Sequence, residues 1–597
     1  MPKIEVNEQV FYTLANRPGS SETHGGWKNR DEFEEILVCA KAELDEDSDK
    51  SLPESERTLK IELNDTNRPD LWGTAGCARQ LRIYAAGSTA KSGDKDKYTF
   101  FSRPGDMKKA TRKVKVQTSV KQVRPYMTGF VARLNGKSIT DPMLRDMIQT
   151  QEKLAWNFGR KRRSMSMGIY RISLIKWPII YKGVDPDSVS FEPLAWDGQL
   201  TLREILKQHP KGKEFAFIQE HEPIHPLLTD ADGVILSYPP IINSNDLGAV
   251  QVGDSEVFVE MTGTDMPTLI LATSIVACDL ADNGFTIEPV EIEYEYDTPF
   301  GKNIVTPFYF QEPVFCSLAR IERFLGEKLN ADECVQALAR MGVTAEKIES
   351  KERGQENSSP VPGVRAYPPE YRNDFLHAAD VAEDVMIGRS LSSFKPQRPA
   401  DSTVGRLLPI TLFSRQIKEL LIGLGYQEMI YNYLGSRKNL VENMRGKGEK
   451  IIRIFNPMTE NYEYVRDSIL ASLMLSESIS GSVYPHKIFE VGKIAWLDDT
   501  QNYRSKTRQF AGFIHAGTDA NFNTAAAELQ ALFYYISREY EVQESSDERF
   551  IQGRAASIIY NGKQIGVFGE LHPQVLENWG VTVPCTAAEI DLDELLI

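Results

Sequence analysis

Three stretches of this chain concentrate residue types that could do chemistry. The first runs from Tyr371 to Asp384, where Asp380, Glu383 and Asp384 stand at i, i+3 and i+4. On a helix they share one face, and Asp374, just ahead, could fold over it. Carboxylates so close repel unless something neutralises them, and a hard divalent cation with oxygen ligands, magnesium first, is one remedy. A solvated acidic helix start, favoured by the helix dipole, is the other reading.

The second stretch pairs Leu228 and Ser237, on either side of the Asp232-Gly233 turn, with Val257-Phe-Val-Glu-Met-Thr262. Alternation along a strand sends Glu260 and Thr262 one way and Val259 and Met261 the other. A carboxylate beside a hydroxyl can share a hydrogen bond with a phenol, so such a face would favour tyrosine over phenylalanine. A strand with its polar side in water fits the same pattern. In the third stretch, Arg466 ends one strand-like run and Ile488-Phe-Glu-Val-Gly492 forms another. That suits an arginine held over a sheet face or, equally, a structural ion pair.

These residues need elements to position them, and the chain is long enough for several domains: 597 residues exceed what one core supports. Hydrophobic residues at 41% and charged residues at 26% are ordinary for a globular protein and argue against disorder. The N-terminus lacks the basic flank and apolar run of a secretory signal, and no apolar stretch approaches a membrane span, so a cytoplasmic protein is expected. Six cysteines without CxxC pairs signal neither zinc nor disulfides. The net charge of −15 repels nucleic acid on average. Locally, however, Arg103 to Arg124 holds eight basic residues against one acid, and Gly159-Arg-Lys-Arg-Arg163 continues a helical pattern. Either run is a candidate phosphate-contacting surface or an ordinary solvated face.

The expected architecture is α+β and multidomain. An N-terminal α+β domain spans 1–86, followed by a polar linker from Gly87 to Lys97. An α+β domain spans 110–285, a small helix-strand module 300–372, and an antiparallel sheet domain 373–597. In the last of these, Asn561-Gly562 signals a hairpin.

Together the three stretches resemble the beta subunit of phenylalanyl-tRNA synthetase, in its archaeal and eukaryotic form. Supporting phrases are LNDTNRPDLWGTAGCARQLR at 63–82, VRPYMTGFVARL at 123–134, GRKRRSMSMGIYRI at 159–172, YPPIIN at 238–243 and FGELHPQV at 568–575. The resemblance implies an α2β2 phenylalanine-tRNA ligase acting on tRNA(Phe), whose alpha chain binds ATP and phenylalanine. The 373–597 domain would then be a class II synthetase-like fold without catalysis; consistent with that, its segment GVFGELHPQVLENWG has no ATP-holding Arg. The resemblance implies a magnesium site shared with the alpha chain at Asp374, Asp380, Glu383 and Asp384. It also implies an editing domain at 110–285, whose pocket of Leu228, Ser237, Glu260 and Thr262 hydrolyses mischarged tyrosyl-tRNA(Phe) with a bound water as nucleophile. Many archaeal relatives carry Asp at the place of Glu260, and the longer side chain moves the acceptor by about one methylene. The alternative is a structural, tRNA-binding subunit with a decayed editing site.

Overall fold

The structure is a computed structural model that describes residues 2–15, 30–87, 98–248, 250–351 and 359–596. The linker expected at Gly87 to Lys97 lies, beyond Gly87, outside the described residues. The chain divides into two units, Met1–Gln397 and Arg398–Ile597.

The first unit opens with strand β1 (Lys3–Asn7), helices α1 (Glu8–Ala15) and α2 (Arg30–Leu37), strands β2 (Ala42–Glu46) and β3 (Thr58–Leu63), and helix α3 (Thr74–Ala86). The strands form an antiparallel sheet in the order β1-β3-β2. Along β3 the period-two pattern buries Leu59, Ile61 and Leu63 beneath the helices.

A larger layer follows. Its elements are β4 (Arg112–Val116), β5 (Tyr126–Arg133), α4 (Asp141–Lys153), β6 (Met165–Arg171), β7 (Ile179–Val184), the short pair β8 (Ser190–Phe191) and β9 (Leu200–Thr201), and helices α5 (Leu202–Gln208) and α6 (Pro210–Phe215). Then come β10 (His225–Thr229), β11 (Ile235–Tyr238), β12 (Ile242–Asn243), β13 (Glu256–Gly263), α7 (Met266–Asp282), β14 (Thr286–Tyr294) and β15 (Asn303–Thr306). Ten of these strands make one sheet in the order β12-β11-β10-β7-β4-β14-β5-β13-β6, with β15 beside β14. The apolar run at 268–277 lies in α7, whose N-terminus is capped by Asp265 accepting from the Thr268 N–H at 2.9 Å. The sheet does not end at 285 as the sequence suggested: β14 runs through its middle, parallel to β4 and antiparallel to β5. Helix α4 is also shorter than its pattern. A π-turn closes it at Leu154–Phe158, and Arg160, Lys161 and Arg162 take left-handed φ of 50, 55 and 64° instead of continuing the helix.

The module after it joins β16 (Val314–Ser317), α8 (Leu318–Leu325), α9 (Ala331–Arg340), β17 (Thr344–Ser350) and β18 (Val361–Tyr367) to helix α10 (Ala378–Arg389). Because α10 packs on α8, α9 and β16, it closes this module rather than opening the next domain, and the boundary moves from 373 to about 397.

In the second unit, a seven-stranded sheet built on the long hairpin His486–Leu497 and Ser505–Ala516 carries helices on both faces. Helices Pro409–Gly423 and Phe522–Tyr535 share one apolar core with it, and Leu470–Glu477 shares the other. The Asn561-Gly562 hairpin forms with φ of 49 and 75°, the left-handed pair such a tight turn needs.

Candidate functional site

The large sheet curls until side chains of its edge strand β6 reach those of β11 near the opposite edge. Tyr170 of β6 sets its phenol 2.8 Å from Ser237 Oγ of β11 and 3.0 Å from Glu260 Oε1 of β13. The register explains the convergence. Leu228 lies opposite Ser237, Glu260 opposite Gly168, and Phe258 opposite Tyr170, with which it stacks at 6.0 Å. Gly168 is required here, since a Cβ would come within 2.3 Å of the Tyr170 hydroxyl and 2.7 Å of Glu260 Oε1. Leu228, Ser237, Glu260, Thr262 and Tyr170 are all fully or almost fully buried.

Glu260 has no cation in hydrogen-bond contact, and its Oε2 is buried without a partner among the described residues. Burial therefore dominates and pushes its carboxyl up to about 7, against the opposing pull of the Tyr170 bond and the Arg124 charge. The phenol has one proton for two neighbours, so the second bond runs from the Ser237 hydroxyl or from the protonated carboxyl. Chemically, the pair Ser237 and Glu260 is a reader of a phenolic OH, and here the phenol is the chain's own.

Thr262 is turned to a different task. Arg124, completely buried and lowered to about 10 by that burial, donates through Nε to Thr262 Oγ1 at 3.0 Å and through Nη2 to both Thr262 O and Ser166 Oγ. It also donates to the carbonyls of Arg162 and Arg163, at 3.2 and 3.1 Å. Tyr170, Ser166 and Arg124 complete the site but escape sequence reasoning. Both motifs that contain them are visible, yet only strand register brings them together.

The acidic stretch behaves otherwise. Arg372, fully buried, bonds Asp374 at 3.0 and 2.5 Å and Asp384 at 2.6 and 3.0 Å. Burial alone would raise Asp374, but Arg372 and Arg68 hold its carboxyl well below the usual range, whereas burial wins at Asp384 and raises it. Asp380 accepts the Leu376 and His377 N–H groups at 2.8 and 2.6 Å, a helix cap, and Glu383 pairs with Lys41 at 2.8 Å. These four carboxylates, Asp374, Asp380, Glu383 and Asp384, are the ones expected to hold magnesium together with an alpha chain. Arginine, lysine and backbone donors supply the neutralisation, and no group of three metal-ligating side chains gathers among the described residues.

Two further expectations resolve into ion pairs. Arg466, buried in the second unit, is held by both Glu490 oxygens at 2.7 Å. The run Arg103 to Arg124 does not make one basic face: Arg103 pairs with Glu370, Arg112 with Glu288 and Lys113 with Glu291 and Glu293, while Arg124 is interior.

The fold is that of an aminoacyl-tRNA synthetase subunit. The profile described as the phenylalanyl tRNA synthetase beta chain CLM domain matches residues 395–592, and that of the tRNA synthetase B5 domain matches 314–389. The phenylalanine--tRNA ligase beta subunits of Treponema pallidum subsp. pallidum and Borrelia hermsii are each 41% identical, with 100% of both chains covered. An N-terminal fragment of the phenylalanyl-tRNA synthetase beta subunit from Pyrococcus horikoshii superposes with a TM-score of 0.53 at 31% identity, over 65% of this chain and 99% of the fragment. The chain belongs to the family of phenylalanine-tRNA ligase beta subunits. No helix among the described residues is long and apolar enough to cross a membrane.

Proposed function

We propose that this chain is the proofreading half of an α2β2 phenylalanine-tRNA ligase of archaeal organisation. An alpha-type partner would bind ATP and phenylalanine and charge tRNA(Phe) in the cytoplasm, while this chain hydrolyses tyrosyl-tRNA(Phe). The likeness of its first unit to the Pyrococcus fragment supports the archaeal organisation. The observation that carries the editing role is the Ser237 and Glu260 pair, which already holds a phenol between two buried hydrogen-bonding groups. A phenylalanyl ring placed there would leave both groups unmet, and that penalty separates the two amino acids. With no histidine bonded to the Ser237 hydroxyl to activate it among the described residues, the reading assigns the attack on the ester to a water placed by the pocket and the tRNA terminus. The reading keeps Asp374, Asp380, Glu383 and Asp384 as the magnesium ligands shared with the alpha-type partner, whose contact would have to release part of their ion pairing.

A second reading has its own support. Tyr170 fills the phenol position and the pocket residues are closed to solvent, as expected of a subunit that assembles the enzyme but no longer edits. Deacylation of tyrosyl-tRNA(Phe) by the reconstituted complex separates them. Editing predicts hydrolysis that falls by at least about tenfold in Glu260→Ala; equal rates for the two proteins leave the assembly reading.

A further inference from the structure

The first unit contains an open cleft of about 1230 Å³ whose walls include Lys3, Trp72, Lys153, Trp156, Phe158 and Arg160. This is more room than an amino acid needs and exceeds a usual small-ligand cavity. Trp156 is 43% exposed, and Lys153 and Arg160 make no ion pair among the described residues. Arg112 and Lys113 of β4 behave differently, because acids of β14 take them up. The cleft's own acids are engaged, Glu152 by Arg162 at 3.0 Å and Asp265 by its helix-capping bond.

The backbone here is strained and deliberately held. Three successive residues with side chains, Arg160 to Arg162, sit in the left-handed region, which is costly for each. Arg124 fastens the carbonyls of Arg162 and Arg163, while the Arg162 guanidinium donates to the carbonyls of Pro240 and Ile241 at 3.1 and 3.0 Å. That conformation ends the helix, leaves Arg160 on the cleft wall that Trp156 also lines, and sets Lys161 Nζ 5.3 Å from the Trp156 ring centroid. The cleft also adjoins the phenol reader. Its residues Ser164 and Thr264 lie two positions along the chain from Ser166 and Thr262, the pair that Arg124 binds.

We propose that this cleft binds an unpaired RNA strand, a base stacking on Trp156 and the adjoining phosphates meeting Lys153 and Arg160. The inference rests on the RNA-handling role proposed above and locates where a single-stranded end runs as it approaches the pocket. An exposed aromatic beside uncommitted cations is the combination that binds single strands with little sequence preference, because every base offers a face to stack and every nucleotide a phosphate. A duplex keeps its bases stacked inside and cannot use Trp156.

The test is fluorescence anisotropy of the full chain with a labelled single-stranded RNA of about eight nucleotides, a length within the site sizes of such grooves. Trp156→Ala is expected to weaken binding by about five- to a hundredfold, with Trp156→Phe restoring most of it. Lys153→Gln with Arg160→Gln is expected to flatten the dependence of log affinity on log salt by about 1.4, two phosphates' worth. Trp156 and Arg160 are exposed and Lys153 is half-buried without an ion pair, so melting temperatures should stay near the wild-type value, which separates lost contacts from lost fold. Unchanged binding in Trp156→Ala, equal binding of duplex RNA, or full displacement of the strand by an equal concentration of AMP would each overturn the proposal. The probe carries no amino acid, so failure of the editing reading in the Glu260→Ala deacylation assay leaves this result independent.

Discussion

Two groups of buried carboxylates sit in the same unit and follow opposite electrostatic rules. Around Arg372, Asp374 and Asp384 share a guanidinium, and Asp374 is held below its ordinary range. Around Tyr170, Glu260 has a phenol for company and rises to about 7 through burial. The first arrangement makes charge a structural bond; the second leaves a carboxyl poised between forms. Asp384 also rises through burial, but it keeps both oxygens on Arg372, whereas Glu260 is left with an unpartnered oxygen among the described residues.

The sharpest way to break the comparison is to remove the shared cation. Arg372→Ala strands two carboxylates in the interior and should cost about 3 to 5 kcal/mol, read as a lowered urea midpoint or loss of soluble protein. Glu260→Gln should act in the other direction and only at higher pH. The folded carboxyl binds its proton up to about 7, against 4.5 for the free group, so between these values the folded state holds more protons than the unfolded one. The stability contributed by the protonated form is complete below about 4.5 and lost as pH rises through 7. The variant should thus gain about 1 to 3 kcal/mol relative to wild type at pH 8 and nothing at pH 4.5, in thermal melts at both pH values. The Asp374 bond carries the reverse sign: it contributes above the ordinary carboxylate pKa and fails on acidification.

Smaller effects sharpen the picture. Tyr170→Phe removes the phenol from two buried groups and should cost about 1 to 2 kcal/mol, measured by denaturant unfolding. Glu383→Ala loses only a partly exposed pair with Lys41, and its effect should stay under about 1 kcal/mol. Millimolar magnesium probes the acidic helix: a clear rise in the melting temperature of the chain alone would support a metal at Asp374, Asp380, Glu383 and Asp384, and no change would show that the ion pairs suffice in the isolated chain.

Much of the scaffold was legible because it is local. Period-two burial in β3, the apolar run of α7 and the Asn561-Gly562 turn each follow from a few adjacent residues. The misread parts depend on distant partners. The pattern of α4 continues to Arg163, but Arg124, far back in sequence, stabilises a left-handed turn there. Asp380, Glu383 and Asp384 have helical spacing, but the spacing does not reveal that Lys41 meets Glu383 and Arg372 meets Asp384. Leu228, Ser237 and Glu260 could be named singly, whereas Tyr170 enters only through the β6 and β13 register and the curl of the sheet.

The most direct test of the account is the pH-rate profile for hydrolysis of tyrosyl-tRNA(Phe) by the assembled complex, wild type against Glu260→Gln. The account predicts a break near pH 7 in the wild type, and in the variant both a slower reaction and no break. The same rate and the same profile in both proteins would contradict it.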